Sequence, residues 1–165
     1  MRLHGLPPVL TRSTRVLVLG SFPGRASLEA GQYYAHPRNL FWPLLGSLWG
    51  LDLAAWPYRR RLAELRRRRL GLWDVYASCE REGSLDRAIR APQPNDLAAL
   101  AQRAPGLRLI VHNGSESARL MSITGTLGLP VRRLPSTSPA NANQSFERKQ
   151  AAWREALVAG GVELA

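Results

Sequence analysis

One cysteine, Cys79, and one lysine, Lys149, occur among the 165 residues of the chain. A lone thiol closes no internal disulfide and holds no iron–sulfur cluster. No run of about 18 apolar residues is present, so no segment reads as a membrane-spanning helix. The opening Met1-Arg2-Leu3-His4-Gly5 lacks the basic-then-apolar layout of a secretory leader. These absences lead to the expectation of a cytoplasmic protein that does not associate with a membrane. Several catalytic signatures are missing too. There is no G-x-x-x-x-G-K-[ST] or G-x-G-x-x-G loop for a nucleotide, and no G-x-S-x-G elbow for a nucleophilic serine. His4, His36 and His112 stand at no metal-ligand spacing from the cysteine or from carboxylates. The expectation is an enzyme or binding module without metal or cofactor.

What the chain has in excess is arginine, which supplies all but one of the 23 basic residues against 12 acidic ones, for a formal charge of +11. Genome base composition also produces such an arginine skew, so the net charge carries the argument rather than guanidinium chemistry. A charge of that size favours an anionic partner, nucleic acid first and an anionic membrane surface second. At 45% hydrophobic residues the chain can build a real core, and its length suits one domain spanning 1–165, expected to be a monomer.

Four short apolar runs read as strands: Arg15–Gly20, Leu72–Tyr76, Leu107–His112 and Val131–Leu134. The first three are near-continuously apolar, as strands covered on both faces are. Arg132 and Arg133 interrupt the fourth, which suits an edge position or a twisted last strand. Helical patterns lie between them. Pro37–Leu48 carries Asn39 where a cap could sit. Trp56–Leu70 puts Tyr58, Leu62 and Leu65 on one face, with Pro57 tolerated in a first turn. Asn95 or Asp96 is placed to cap the run that follows, Asn113 or Ser115 to cap a helix through Met121, and Ser145 to open a last helix with Phe146, Trp153 and Leu157 at helical spacing. Strands alternating with helices give an α/β fold, a three-layer α/β/α sandwich around a short, mainly four-stranded parallel sheet.

Ligands of open parallel sheets bind beyond the carboxyl ends of the strands. Those ends carry Gly20-Ser21-Phe22-Pro23-Gly24, Asp74, Asn113-Gly114 and Pro135-Ser136-Thr137-Ser138-Pro139, so the informative short motifs share one edge. Two glycines around a proline make a rigid turn that a ligand can approach closely. Phe22 within it either presents a ring suited to stacking on a planar base or folds into the core. Gly31-Gln32-Tyr33-Tyr34-Ala35-His36-Pro37-Arg38-Asn39-Leu40-Phe41-Trp42 is dense in aromatics and hydrogen-bonding groups; Phe41 and Trp42 read as core, and Asn39 as a helix cap or a site residue. The Leu134–Asn143 loop offers small hydroxyls and free amides able to grip phosphates. Arg59, Arg60, Arg61 and Arg66–Arg69 form a cationic ridge, either a solvated helix face or an electrostatic guide for a polyanion.

Taken together, GSFPG, YYAHPRNLFW and LPSTSPANA resemble in order and spacing the uracil-DNA glycosylase superfamily, over roughly Arg15 to Phe146. The middle stretch is similar to the AHP-x-N-x-FW segment of mismatch-specific uracil/thymine glycosylases. Where those enzymes carry a catalytic Asn in G-I-N-P-G, this chain has Phe22, a departure that resembles the hypoxanthine-DNA glycosylases, the superfamily's sixth family. The resemblance then implies a catalytic role for Asn39, orienting a water below C1′ of an extruded nucleotide. It implies a base pocket of Phe22, Ser21, Tyr34, Asp74 and Asn113, with the Asp74 carboxylate able to accept from hypoxanthine N1–H. Gly24, Ser27, His36, Arg38, Ser136, Thr137, Ser138 and Asn141 fall to the DNA backbone, and the Ala140–Asn143 stretch to the gap left in the base stack, though no bulky wedge is evident there. Lys149 is expected away from this edge, which disfavours a Schiff-base lyase and leaves a monofunctional glycosylase for deaminated bases in DNA: hypoxanthine first, uracil or xanthine after. A mismatch-specific uracil/thymine glycosylase and a catalytically silent nucleic-acid-binding domain remain as alternatives.

The charge itself yields a prediction. Affinity for DNA falls steeply as salt rises from low to physiological concentration, measured by fluorescence anisotropy on a labelled oligonucleotide; a flat profile contradicts it.

Overall fold

The structure is a computed structural model describing residues 1–141 and 143–165. The elements run β1 (Arg2–His4), β2 (Val16–Gly20), α1 (Arg25–Ala30), α2 (Phe41–Trp49), α3 (Tyr58–Arg67), β3 (Leu70–Asp74), β4 (Tyr76–Glu80), β5 (Arg90–Pro94), α4 (Leu100–Arg103), β6 (Leu109–Asn113), α5 (Ser115–Ala118), α6 (Met121–Thr124), β7 (Val131–Leu134) and α7 (Phe146–Ala159). Single 3₁₀ turns sit at Leu53–Ala55, Asp86–Ala88 and Leu97–Ala99.

The central sheet is all parallel, in the order β3-β2-β6-β7. Alternate residues along its strands feed two separate cores. Val16, Val18, Leu70, Leu72, Leu109 and Val111 face a core with Phe41, Trp42, Leu65 and Trp153 from α2, α3 and α7. Leu17, Leu19, Trp73 and Ile110 face the other, with Leu97, Leu100, Tyr76 and Cys79. Both faces are therefore covered, which makes the fold the expected three-layer α/β/α sandwich. The arginines of the fourth strand are explained by its place at the sheet edge, where Arg132 lies 3.8 Å from Glu155 of α7. No helix among the described residues is long and apolar enough to cross a membrane.

Three expectations need correction. The second strand begins earlier and ends at Asp74, not Tyr76. At Val75, whose N–H donates to the Gly20 carbonyl at 2.8 Å, the chain leaves the parallel sheet. It continues as β4 in a second, antiparallel sheet β1-β4-β5 that the apolar runs gave no hint of. The third strand, Leu109–Asn113, likewise starts later and includes Asn113, so Asn113 caps no helix; Gly114, at φ 98°, stands before α5 instead. The helix expected from Pro37 starts only at Phe41, because residues 36–39 close a turn in which the Asn39 N–H donates to the His36 carbonyl at 2.9 Å. Asn39 still meets one free amide of the helix start, its Oδ1 accepting from Phe41 N–H at 2.9 Å. The Ser145 cap forms as expected, its hydroxyl accepting from Arg148 N–H.

His112, fully buried on β6, bolts the sheet to α5 and α6. Its Nδ1 lies 2.8 Å from Ser117 Oγ and its Nε2 2.8 Å from Thr124 Oγ1. Because Ser117 Oγ–H already donates to the Leu19 carbonyl at 2.7 Å, the network assigns the ring proton to Nδ1, and Nε2 accepts from Thr124. Burial favours this neutral ring and pushes its pKa down to about 4.

Candidate active site

The strand-end segments named from the sequence converge on one open cleft of about 1200 Å³. Small-molecule sites span roughly 300–1,000 Å³, so the cleft has room for a base together with part of its sugar–phosphate. Each of the fourteen expected site residues lines it: Ser21, Phe22, Gly24, Ser27, Tyr34, His36, Arg38, Asn39, Asp74, Asn113, Ser136, Thr137, Ser138 and Asn141. Their environments divide them.

Asn113, at the end of β6, works as a clamp. Its Oδ1 accepts from Thr137 N–H at 3.0 Å, and its Nδ2 donates to Thr137 Oγ1 at 3.0 Å and to Tyr34 Oη at 3.2 Å. Thr137 in turn accepts from Leu40 N–H at 2.9 Å through its carbonyl. Asn113, Thr137 and Leu40 thus tie the Tyr34–Asn39 segment to the Pro135–Pro139 loop. Thr137, 1% exposed and held on both sides, is a bolt within the wall rather than the phosphate contact expected of it. Ser27 is likewise buried, its Oγ accepting from Ala35 N–H at 3.1 Å, and so supports the Tyr34 segment from below instead of meeting a phosphate. The hydroxyl-rich wording of these segments could not distinguish inward from outward side chains.

Ser136 and Ser138 remain half-buried at the wall, and His36 and Arg38 are exposed at the mouth. Tyr34 stands at φ 56°, its ring stacked on Phe41 with centroids 4.3 Å apart. Phe22 joins the second core at 6% exposure and also contributes to the cleft lining, with the Arg81 guanidinium 5.3 Å from its ring centroid. Asn39 is half-buried; with Oδ1 bonded to Phe41 N–H, a second Oδ1 lone pair and the Nδ2 protons remain. The Ala140–Asn143 stretch includes Ala142, which lies outside the described residues.

Asp74 is the electrostatically unusual member. It ends β3, is 5% exposed, and its Oδ2 is buried without a hydrogen-bond partner among the described residues. The carboxyl fits only because residue 20 is glycine: a Cβ there would collide with Asp74 Oδ1 and come 3.3 Å from Tyr34 Oη. Burial first, and the negative charge of Asp86 second, push its pKa up to about 7, against a smaller opposing pull from Arg81. Near neutral pH the group is therefore divided between a neutral acid and a carboxylate.

One wall escaped the sequence reading. The hairpin between β4 and β5 brings Ser84, Leu85, Asp86 and Arg87 to the cleft. Ser21 Oγ–H donates to Asp86 Oδ1 at 2.6 Å, Arg25 N–H donates to Ser84 Oγ at 2.9 Å, and Arg81 Nη2 donates to the Pro23 carbonyl at 2.8 Å. Asp86 is open to solvent as a residue, yet its carboxyl sits against the Ser21 turn and its pKa is raised by desolvation. No apolar periodicity marks this loop; only its Gly83-Ser84 pair hinted at a turn.

The cationic ridge lies elsewhere. None of its arginines lines the cleft. Several are packed down: Arg60 lies over Trp56 at 3.7 Å, Arg61 over Trp42 at 4.8 Å and Arg68 over Trp49 at 4.6 Å, while Arg67 makes paired bonds of 2.7 and 2.8 Å to Glu64. The positive charge at the mouth comes from Arg25, Arg38, Arg87 and Arg133. Lys149 also departs from expectation. It is buried beside the motif edge rather than away from it, with Nζ donating to the Asn141 carbonyl, and it does not reach the cleft lining.

Asp74 and His112 pull stability in opposite directions as pH changes. Neutral His112 contributes stability that is present above pH 6.5 and is lost as pH falls toward 4. Asp74 binds its proton more tightly folded than unfolded, so its contribution is present below 3.8 and is lost as pH rises toward 7. Removing one exposes the other. Asp74→Asn is expected to lose stability more steeply than the parent on acidification from pH 6.5 to 4, followed by urea unfolding at each pH; parallel profiles contradict the burial of this acid.

Residues 7–159 match the family model of the uracil DNA glycosylase superfamily. The chain is 40% identical over 157 residues to a hypoxanthine DNA glycosylase of Methanosarcina barkeri, covering 95% of this chain and 99% of that one. It is 38% identical over 146 residues to one of Methanosarcina acetivorans, covering 88% and 92%. A solution NMR structure of a candidate uracil DNA glycosylase from Methanosarcina acetivorans superposes with a TM-score of 0.83 at 37% identity, covering 94% of this chain and 98% of that one. A parallel sheet whose strand ends gather these three motifs, matched along nearly its whole length, places the chain in the uracil DNA glycosylase superfamily, to which it belongs.

Proposed function

We propose that the protein is a monofunctional DNA glycosylase that removes deaminated bases, hypoxanthine first, by hydrolysis of the N-glycosidic bond. The observation that carries this reading is the meeting, on one cleft wide enough for a nucleotide, of Asn39 and Asp74, whose Oδ2 has no hydrogen-bond partner among the described residues. The names of the two Methanosarcina relatives support hypoxanthine as the base.

A base stacked in duplex must leave the helix to be reached. In the cleft its apolar face meets the small Phe22 patch, and its polar edge meets Asp74. Hypoxanthine presents N1–H as donor beside O6 as acceptor. A neutral carboxyl complements that pair, its carbonyl oxygen accepting from N1–H while its O–H donates to O6. As the C1′–N bond breaks, negative charge grows on the departing base, and the O–H aimed at O6 stabilises it. The ionised form would repel the same oxygen. Asn39 holds a water against C1′ through its free Oδ1 lone pair, and the water gives its oxygen to the sugar and a proton to the base. An amide is too weak a base to do more than orient, so its contribution is positional. Asn113, spent on Thr137 and Tyr34, keeps the wall in register. The arginines at the mouth suit the flanking phosphates, with His36, Ser136, Ser138 and the Gly24 backbone beside them. Lys149, tethered to Asn141, supports water rather than an amine as nucleophile. Uracil and xanthine carry the same lactam pair, so this contact admits them too.

Asn39→Ala is expected to lower cleavage of a deoxyinosine oligonucleotide about a hundredfold or more while DNA binding is retained. Cleavage is read after alkali, in parallel with uracil and xanthine substrates. Unchanged cleavage removes Asn39 from the mechanism, and a parent protein that cleaves none of these bases is a silent binding domain. A second outcome follows from Asp74: single-turnover cleavage falls as pH rises through about 7. Asp74→Asn, which presents one donor and one acceptor at every pH, is expected to flatten that fall; an unaltered profile assigns the ionisation elsewhere.

A further inference from the structure

Extruding a nucleotide leaves a gap in the base stack, which proteins that unstack DNA fill with an apolar side chain. The Ala140–Asn143 stretch, on which the resemblance places this task, offers only alanine and asparagine. Among the described residues, large hydrophobic side chains are exposed at three places, Met1, Leu85 and Val158. Of these only Leu85 lines the cleft.

We infer that the β4–β5 hairpin is a second DNA-contacting edge and that Leu85 at its tip is the wedge, entering the base stack of duplex DNA from the wall facing the Pro135–Pro139 loop. A single exposed leucine is ordinary on a protein surface. What sets this one apart is how it is held. Its neighbour Ser84 bonds to Arg25 N–H, and its neighbour Asp86 bonds to Ser21, so both flanking side chains turn inward to the strand-end turn. Arg81 closes the base of the same loop onto Pro23 and Gly83. The Leu85 carbonyl accepts from Ala88 N–H at 3.0 Å, which begins a 3₁₀ turn and holds the backbone that carries the side chain. Leu85 is thus at 43% exposure on a fastened loop, instead of collapsed into the core beside it. Arg87, two residues on, also reaches the cleft and supplies a cation where a wedge on duplex DNA needs a phosphate partner.

This inference rests on the glycosylase reading and is tested separately from it. A wedge matters only where there is a stack to enter, so Leu85→Ala should slow single-turnover cleavage of one deaminated base in duplex DNA by about tenfold or more, and leave the same base in a single strand within about twofold. Leu85→Phe should restore duplex cleavage, and 2-aminopurine beside the lesion should brighten with the parent and not with the alanine variant. Duplex cleavage unchanged in Leu85→Ala, or equal losses on both substrates, overturns the wedge and leaves the glycosylase reading standing. A parent protein inactive on every deaminated base sinks the glycosylase reading instead.

Discussion

The site depends on a single amide. Asn113 sits at the end of a buried strand and holds Thr137 on one side and the Tyr34 hydroxyl on the other. Two segments separated by about a hundred residues of sequence are joined there, and Leu40 is drawn to the Thr137 carbonyl as part of the same junction. A buried amide is worth keeping only when its donors and acceptor are all met, and here they are. The position of Asn39 follows from it, since Asn39 stands between Tyr34 and the helix that Leu40 introduces.

A second constraint is the sharp change of direction at Val75. Without it the chain would carry β3 onward past the sheet end, and Asp74 would be one more strand residue. Instead the Gly20 carbonyl accepts from Val75 N–H, the chain swings into the antiparallel sheet, and its hairpin returns over the strand ends. The Ser21–Arg25 turn is consequently gripped from two sides, by the strand it ends and by the Ser84–Asp86 loop.

The parallel sheet was legible because three of its strands are mostly apolar runs, and the cleft edge because turn chemistry follows each strand. The small sheet was not. β5, Arg90–Pro94, is exposed throughout and holds two prolines, and β1 is three residues long, so neither carries an apolar signal. Among the site residues, chemistry could be read from residue type while orientation could not. Ser27 and Thr137 look the same on paper as Ser136 and Ser138, yet the first two turn into the protein and the second pair stays at the wall. The arginine run left two readings open for a related reason: charge says nothing of what lies beside it, and Trp42, Trp49, Trp56, Tyr58 and Glu64 engage several of these arginines. The cations that surround the cleft are scattered singly along the chain.

Residue 20 is a glycine without a functional group, yet it bears on the acidity of Asp74. The Asp74 oxygen occupies the volume that any side chain at this position would claim. A methyl group there would force the carboxyl out of its present seat. The seat of this acid is therefore encoded in a missing carbon, at a position that carries no polar side chain of its own.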